Sequence, residues 1–268
     1  MKNIIKKMVL TSLLCVFFIF GCVLAACADN SNLENSNQNN GQGNNQGGSE
    51  TQGNLIFTLK SDDTYSVGAR SKKSLGDVII PSSYKDKSVT EIGYAAFSGC
   101  SATSITIPKS ITEFASRAFE MSSRPNDVFY EGDLAGWCSI KAAVGRNYTG
   151  TPIKSNLYIN GELVTDIVIP ETITQIGVDA ASFSYCRSLK TVTIPNSVTE
   201  IGYNAFRGCV NLKTVTISSS VVSLYDYAFL DCYALETIIY TGTSAQWAEV
   251  SKGEKSIPSS VTVICNQD

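Results

Sequence analysis

The chain contains no histidine. That removes the Ser–His–Asp and Cys–His nucleophilic systems, histidine-containing zinc sites and the commonest general base. Cysteine occurs nine times, but beyond Cys27 the closest two, Cys209 and Cys232, are 23 positions apart. A four-thiolate metal site therefore has no close ligand pair to start from. Charged residues make up only 17% of the chain and the basic ones are scattered. No stripe of positive charge exists to meet a phosphate backbone, so nucleic acid is not an expected partner. Glycine-rich phosphate loops and calcium loops are missing too. Ser82-Ser83-Tyr84-Lys85 has the S-x-x-K spacing of penicillin-recognising enzymes, but its S-D-N and K-T-G partners are absent, and a polar turn explains it. Glu91, Glu113 and Glu200 fall in one phase of an internal repeat, which makes a surface row, whereas glycoside hydrolysis needs two carboxylates about 5–9 Å apart across a cleft. No cofactor and no enzymatic activity are expected.

What the chain does contain is repetition. Ile80-Pro81…Val89-Thr90-Glu91-Ile92-Gly93…Ala96-Phe97…Cys100 recurs as Ile169-Pro170…Ile173-Thr174-Gln175-Ile176-Gly177…Phe183…Cys186. It recurs again as Ile194-Pro195…Val198-Thr199-Glu200-Ile201-Gly202…Ala205-Phe206…Cys209, and as Ile217…Val221…Leu224…Ala228-Phe229…Cys232, where matched positions lie 23 residues on. Units of this length cannot bury an apolar face alone and are stable only when stacked, so the repeat predicts a solenoid.

The ends of the chain follow different rules. Lys2, Lys6 and Lys7 precede an apolar run, Met8 to Leu24, that closes on small residues, as a secretory signal does. Residues 1–26 read as that signal, and Leu24-Ala25-Ala26-Cys27 resembles the lipobox of bacterial lipoproteins. The resemblance implies a diacylglyceryl group on Cys27 and cleavage before it; an uncleaved anchor with an incidental cysteine is the alternative. Membrane attachment is expected through this anchor alone, since no second apolar segment approaches the roughly 20 residues that span a bilayer. Removing residues 1–26 takes three lysines and no acids from 21 basic and 24 acidic residues, leaving a formal charge of −6. Residues 27–53 are Asn, Gln, Gly and Ser with almost nothing apolar, and read as a tether.

Residues 54–268 hold the folded part. Leu55–Leu59 and Tyr65–Val67 flank a polar turn and predict a hairpin where a solenoid needs its first edge covered. In each unit a short strand such as Val192-Thr193-Ile194 alternates in, out, in. Proline ends it, at 81, 108, 170 and 195. A second extended piece returns to the core, and Ala-Phe-x-x-Cys-x-x-Leu has the spacing of one or two helical turns. The extra residues Tyr84–Lys87 in the first unit are placed in a tolerated exposed turn. Two runs, 78–140 and 167–250, are joined by 141–166, where Asn160-Gly161 between apolar stretches is a hairpin signal. One body is favoured over two, because neither run alone has many repeats.

The pattern IP-x-S-V-T-x-IG-x-x-AF-x-x-C-x-x-L, clearest over Val192–Leu212, resembles the BspA-like leucine-rich repeats of bacterial surface proteins. Two segments, Tyr130…Trp137 and Tyr240…Trp247, match the aromatic stretch that closes runs of such repeats. The resemblance implies an α/β repeat fold: a leucine-rich-repeat solenoid of stacked parallel short strands and short helical turns, capped by the N-terminal hairpin. It further implies display at the cell surface and adhesion to host matrix proteins, host cells or other bacteria.

Cys100, Cys186, Cys209 and Cys232 share one repeat phase and are expected as a buried column of small apolar residues, too far apart at Cβ for bridges. Cys138 and Cys265 lie off the column. If the strands stack in parallel, their outward residues make one continuous face: Ile79, Thr106, Phe129, Val168, Thr193, Thr216 and Ile239, flanked by Ser104, Thr191, Thr214 and Thr237. A protein ligand or a glycan is the expected partner there. The same threonines also suit strands for their shape alone. A nutrient-capture lipoprotein and an envelope spacer without a ligand remain the alternative readings.

Overall fold

The computed structural model of this chain describes residues 49–71, 74–119, 125–142, 144–145, 148–149, 155–177, 180 and 183–266. The leader 1–26, Cys27 and the tether up to residue 48 lie outside the described residues. Residues 46–268 form one compact unit.

The unit begins with β1 (Ser49–Gln52), β2 (Leu55–Leu59) and β3 (Tyr65–Ala69), each antiparallel to the next. The expected hairpin is therefore present, but it gains β1 from residues assigned to the tether. Strand β1 pairs with β2 along its whole length, and those backbone bonds do not depend on side chains.

From there each repeat contributes one strand to a front sheet and one short strand to a back sheet. In the first run the front strands are β4 (Ser74–Ile79), β7 (Ser101–Ile107), β9 (Asp127–Tyr130) and β13 (Asn156–Ile159), all parallel. The back strands are β6 (Lys87–Ile92), β8 (Glu113–Phe114) and β10 (Lys141–Ala142), and β3 stacks on β6 in parallel as if it were one more rung. In the second run the front strands are β15 (Asp166–Val168), β17 (Thr191–Ile194), β19 (Thr214–Ile217), β21 (Thr237–Tyr240) and β23 (Thr262–Cys265). Their back strands are β16 (Gln175–Ile176), β18 (Glu200–Ile201), β20 (Ser223–Leu224) and β22 (Ser251–Lys252). A small antiparallel pair, β11 (Val144–Gly145) and β12 (Tyr148–Thr149), lies in the connection between the runs.

Between the runs, β13 turns through Asn160 (φ 50) and Gly161 (φ 82) into β14 (Glu162–Leu163), which pairs antiparallel with it. Both turn residues are left-handed, as the tight two-residue hairpin requires. Strand β14 occupies the edge where the next parallel strand would have joined. The front is therefore two five-stranded sheets and not one continuous face. Backbone contacts still link the runs: the Arg187 amide donates to the Ser155 carbonyl at 3.0 Å, and Lys141 bridges to Ala180.

The Ala-Phe-x-x-Cys segments are not helical. Successive i→i+3 bonds close them, for example Ala96 to Gly93 and Cys100 to Phe97, both at 3.1 Å. Left-handed residues flank the phenylalanine: Asn204 (φ 56) before Phe206 and Gly208 (φ 70) after it. That geometry makes β-turns that aim Phe and Cys inward. The amides then bond across rungs, with Phe183 donating to Ala205, and Phe206 to Ala228, each at 2.8 Å. Among the described residues helix is confined to α1 (Leu134–Ser139) and α2 (Ser244–Glu249), the two Trp-bearing segments, capped by Asp133 and Thr243 respectively.

Between the sheets the core is arranged in columns. Phe183, Phe206 and Phe229 stack nearly parallel, with ring centres 5.6 and 5.3 Å apart. Beside them Cys186, Cys209 and Cys232 are buried as free thiols. The Cys209 thiol donates to the Phe183 carbonyl and the Cys232 thiol to the Phe206 carbonyl, both at 3.0 Å. Burial pushes the Cys138 thiol up to about 12 and raises Cys186 and Cys209 as well. Because the thiolate is the reactive form, a native-state alkylating reagent should modify Cys265, which is half-exposed. Cys100, Cys138, Cys186, Cys209 and Cys232 should react only on unfolding. Peptide mass mapping before and after denaturant checks this.

The extra residues of the first unit are not an idle turn. Ser83–Tyr84 form β5, antiparallel to β6, and lay Tyr84 flat on Phe57 with ring centres 4.1 Å apart. The Tyr84 hydroxyl donates to Glu50 at 3.2 Å, Lys85 pairs with Glu50, and Lys87 pairs with Asp63. The insertion staples the cap to the first repeat. The hydrogen bond from Lys85 holds the Glu50 carboxyl below the usual glutamate value, and the Thr64 hydroxyl does the same for Asp62. Carboxyls with depressed native values stabilise fully above their unfolded pKa, about 4, and lose that contribution as pH falls through the native value. The protection of β1 amides, corrected for the intrinsic rate, should therefore fall as pH drops below about 4, relative to that of β19 amides in the same sample. Equal loss of protection in both strands would contradict the staple.

Candidate binding surface

The front sheets place the residues singled out from sequence in two in-register rows. Ile79, Thr106 and Phe129 are successive partners across β4, β7 and β9. Val168, Thr193, Thr216 and Ile239 are partners across β15, β17, β19 and β21. Each row gains a member that sequence reasoning left out. Tyr158 follows Phe129, and Ile264 follows Ile239. The signal for both was available in the alternation of β13 and β23, but both strands lie outside the two runs, 78–140 and 167–250, in which the repeat was read. Exposure is uneven along the rows: Ile79 is 70% exposed, Val168 65% and Ile264 52%, whereas Thr106, Phe129, Tyr158, Thr193 and Thr216 are half-buried.

A polar row runs beside each apolar one, two residues earlier on every strand. In the first sheet it reads Asp77, Ser104, Asp127, Asn156, and in the second Asp166, Thr191, Thr214, Thr237, Thr262. The acid on the first rung accepts a bond from its neighbour: Ser104 Oγ to Asp77 Oδ1 at 2.8 Å, and Thr191 Oγ1 to Asp166 Oδ1 at 2.7 Å. Asn156 Nδ2 likewise donates to Asp127 Oδ1 at 2.9 Å. The hydroxyl of Thr191 also holds the Asp166 carboxyl below the ordinary aspartate value. These bonds tie neighbouring rungs together.

The only close aromatic pair on the front among the described residues is Phe129 with Tyr158, stacked at 4.7 Å and 22°. It sits beside Asp127 and Asn156. The two rows are separated by β14, so the surface offers two neighbouring strips and not the single strip expected. Rungs are about 4.8 Å apart in the hydrogen-bonding direction, so each strip presents side chains at a regular interval. Glu91 and Glu113 are in register on the back sheet, a surface row as expected from their phase.

A family model described as BspA type leucine-rich repeat region matches residues 70–134 and 151–266 in six copies. The chain belongs to the BspA-type leucine-rich repeat family. The matched stretches contain all the front strands except part of β13's connection from the first run, and they bracket the unmatched residues 135–150. Among solved structures, the chain is similar to a leucine-rich repeat protein from Bacteroides ovatus, at 22% identity, a TM-score of 0.39, and coverage of 81% of this chain and 71% of that one. It is similar also to a leucine rich cell surface protein from Faecalibacterium prausnitzii, at 20% identity, a TM-score of 0.37, and coverage of 82% and 76%. A third is a leucine-rich repeat protein from T. pallidum, at 20% identity, a TM-score of 0.36, and coverage of 67% and 86%. No curated protein matches the chain.

The BspA-type repeat explains which positions are free to vary. Residues facing inward on the strand, Val192, Val215 and Ile238, are fully buried and must stay aliphatic. Those two places apart on the outside, such as Thr191 and Thr193, meet only their in-register neighbours and solvent. This division leaves the inward positions to packing and frees the outward ones from it.

Proposed function

We propose that this BspA-type protein is a lipid-anchored, non-enzymatic binding module of the bacterial cell surface, and that it engages a protein ligand across the front strands. One observation carries the reading. The front presents β-branched and aliphatic side chains in register, with a polar row alongside that is mostly hydroxyl in the second sheet. Such a strip suits shape-driven contact with an extended or flat protein surface, where apolar groups supply affinity and hydroxyls set orientation. The lipobox-like stretch ending at Cys27 and the polar tether after it support attachment to the membrane with the repeats held clear of it. Two acyl chains on one cysteine anchor stably.

The test is a binding screen of the full chain, in detergent micelles, against matrix proteins and against a glycan array. Saturable protein binding that persists in high salt is expected, because an uncharged strip is little affected by screening. The double substitution Thr193→Lys and Thr216→Lys leaves the core untouched and should weaken that binding at least tenfold. Binding that is unchanged in this variant would move the ligand off the front. For the anchor, Cys27→Ala should abolish incorporation of a labelled fatty acid into the protein.

A second reading, glycan capture, is favoured by the stacked Phe129–Tyr158 pair beside Asp127 and Asn156. Under it, glycans alone would bind, and Tyr158→Ala would abolish the interaction while Thr193→Lys with Thr216→Lys would not.

A further inference from the structure

The N-terminal end of the front sheet is built differently from the back. On the back sheet, β3 covers β6 and is itself covered by β2 and β1. On the front sheet β4 is the outermost strand, and no described strand covers it. Its inner side pairs with β7, regularly from Asp77 to Ile79, and the Ile80 amide donates to the Thr106 carbonyl at 3.0 Å. In a parallel ladder the groups alternate, so the Asp77 carbonyl and the Ile79 amide point the other way, to the open edge. A cleft of about 320 Å³ lies along that edge, between β4 and the β1–β2 turn, lined by Asn54, Leu55, Leu75, Val78, Ile79 and Pro81. Among the described residues the repeat thus has no front strand at the level where the back sheet has β3.

We propose that the β4 edge and its cleft are a docking site for one extended peptide strand of a partner protein, lying parallel to β4, with a basic residue opposite Asp77 and an aliphatic residue opposite Val78. The register follows from the ladder inside the fold. Wherever two front strands meet, one residue supplies both bonds to the strand after it, as the Ile217 carbonyl does toward Thr241. The peptide residue opposite Val78 would accordingly donate its N–H to the Asp77 carbonyl and accept from the Ile79 N–H. Its side chain would face inward onto Val78 and Leu55, prolonging the aliphatic column that Val78, Ile105, Val128 and Leu157 begin. The exposed Asp77 carboxylate, bonded on one side by Ser104, favours a lysine or arginine facing it.

Two other occupants fit less well. Residues 28–48 of this chain contain a single large apolar residue, Leu33, and offer no aliphatic alternation to fill the cleft. The blunt end of a second copy, presenting β23, would meet β2 and β1, which stand two strands beyond β3, roughly 10 Å at the usual strand spacing. A single strand passes beside that overhang, whereas another solenoid does not.

The experiment uses the full chain and a fluorescent, end-capped peptide with the core arginine-valine-threonine-valine, followed by anisotropy. Saturable binding below about 1 mM is expected, the range of weak strand-addition contacts. N-methylation of the first valine, which sits opposite Val78, should weaken binding about tenfold or more, the loss of one to two backbone bonds. N-methylation of the threonine, whose N–H faces away from β4, should change it less than twofold, within the scatter of a surface change. Ile79→Pro removes the edge donor at a position where an edge strand tolerates proline, and should weaken binding to the same extent as the first N-methylation. Hydrogen exchange supplies the second measurement. The Ile79 amide should exchange fast in the free protein and slow down with peptide, while the Ile80 amide stays slow throughout. An Ile79 amide already slow in the free full chain would mean that the leader or a second copy fills the edge, and would overturn the proposal. So would equal affinity for the two N-methylated peptides, or no binding at all.

Discussion

Phe206→Ala lowers the unfolding free energy by about 3–5 kcal/mol, the expected cost of removing a fully buried aromatic side chain and leaving its cavity. The ring sits between two others, with Phe183 at 5.6 Å and Phe229 at 5.3 Å, so both neighbours lose a stacking partner at once. Relaxation cannot close the gap, because the backbone on either side is fixed by the Phe206–Ala228 and Phe183–Ala205 bonds. For a domain of this size the loss corresponds to a fall in melting temperature of roughly 10 °C. Phe229→Ala should cost less, since Phe229 has one stacked neighbour where Phe206 has two. Thermal melts of the two variants check the order, and a smaller effect at Phe206 than at Phe229 would mean that the column is not what holds the repeats together.

Gly208→Ala is the second large effect, and it adds only one methyl group. Gly208 has φ 70, which costs an L-residue about 1–2 kcal/mol. A Cβ there would also land inside the ring of Tyr185 from the rung before. Displacing that ring adds about 1–3 kcal/mol of overpacking and disturbs the Arg207 guanidinium, 5.8 Å from the Tyr185 centre and paired with Asp231 at 3.4 Å. The control is Gly53→Ala. Gly53 is equally left-handed at φ 57, but nothing lies within 4 Å of its absent Cβ, so it should lose the backbone part alone. Urea titrations that found the two substitutions equally damaging would show the Tyr185 contact to be immaterial.

Sequence repeats and structure agree most closely where each rung meets the same environment. Ile194, Ile201, Phe206, Cys209 and Leu212 recur with fixed spacing because each contacts its own counterpart one rung away. A stack of identical units leaves little freedom in which residue faces in. The front rows were legible for the same reason, since alternation within a three-residue strand decides which side chain points out. Tyr158 and Ile264 escaped because β13 and β23 lie outside the two runs in which the repeat was read. Neither could be recognised as a rung without its partner strand.

The misreadings share a different origin. Tyr84–Lys87 looked like a tolerated insertion, yet Tyr84 lies on Phe57, a residue 27 positions earlier, and Lys85 reaches Glu50. Contacts between the cap and an insertion are made once, not once per repeat, so periodicity carries no trace of them. The helical spacing of Ala-Phe-x-x-Cys was equally ambiguous. A chain of i→i+3 turns places its inward residues at nearly the same intervals as a helix, and only the left-handed backbone at Asn204 and Gly208 separates the two.

By itself, then, the amino-acid order determined the stacked repeat, its inward columns and the identity of most outward-facing residues, since each follows from interactions between neighbours one period apart. Tertiary structure alone decided that the front divides at β14 into two strips, that the insertion locks the cap, and that among the described strands β4 stays at the edge of its sheet. Those outcomes depend on which strand reaches a shared edge first, a competition between distant segments for the same backbone groups that no local pattern records.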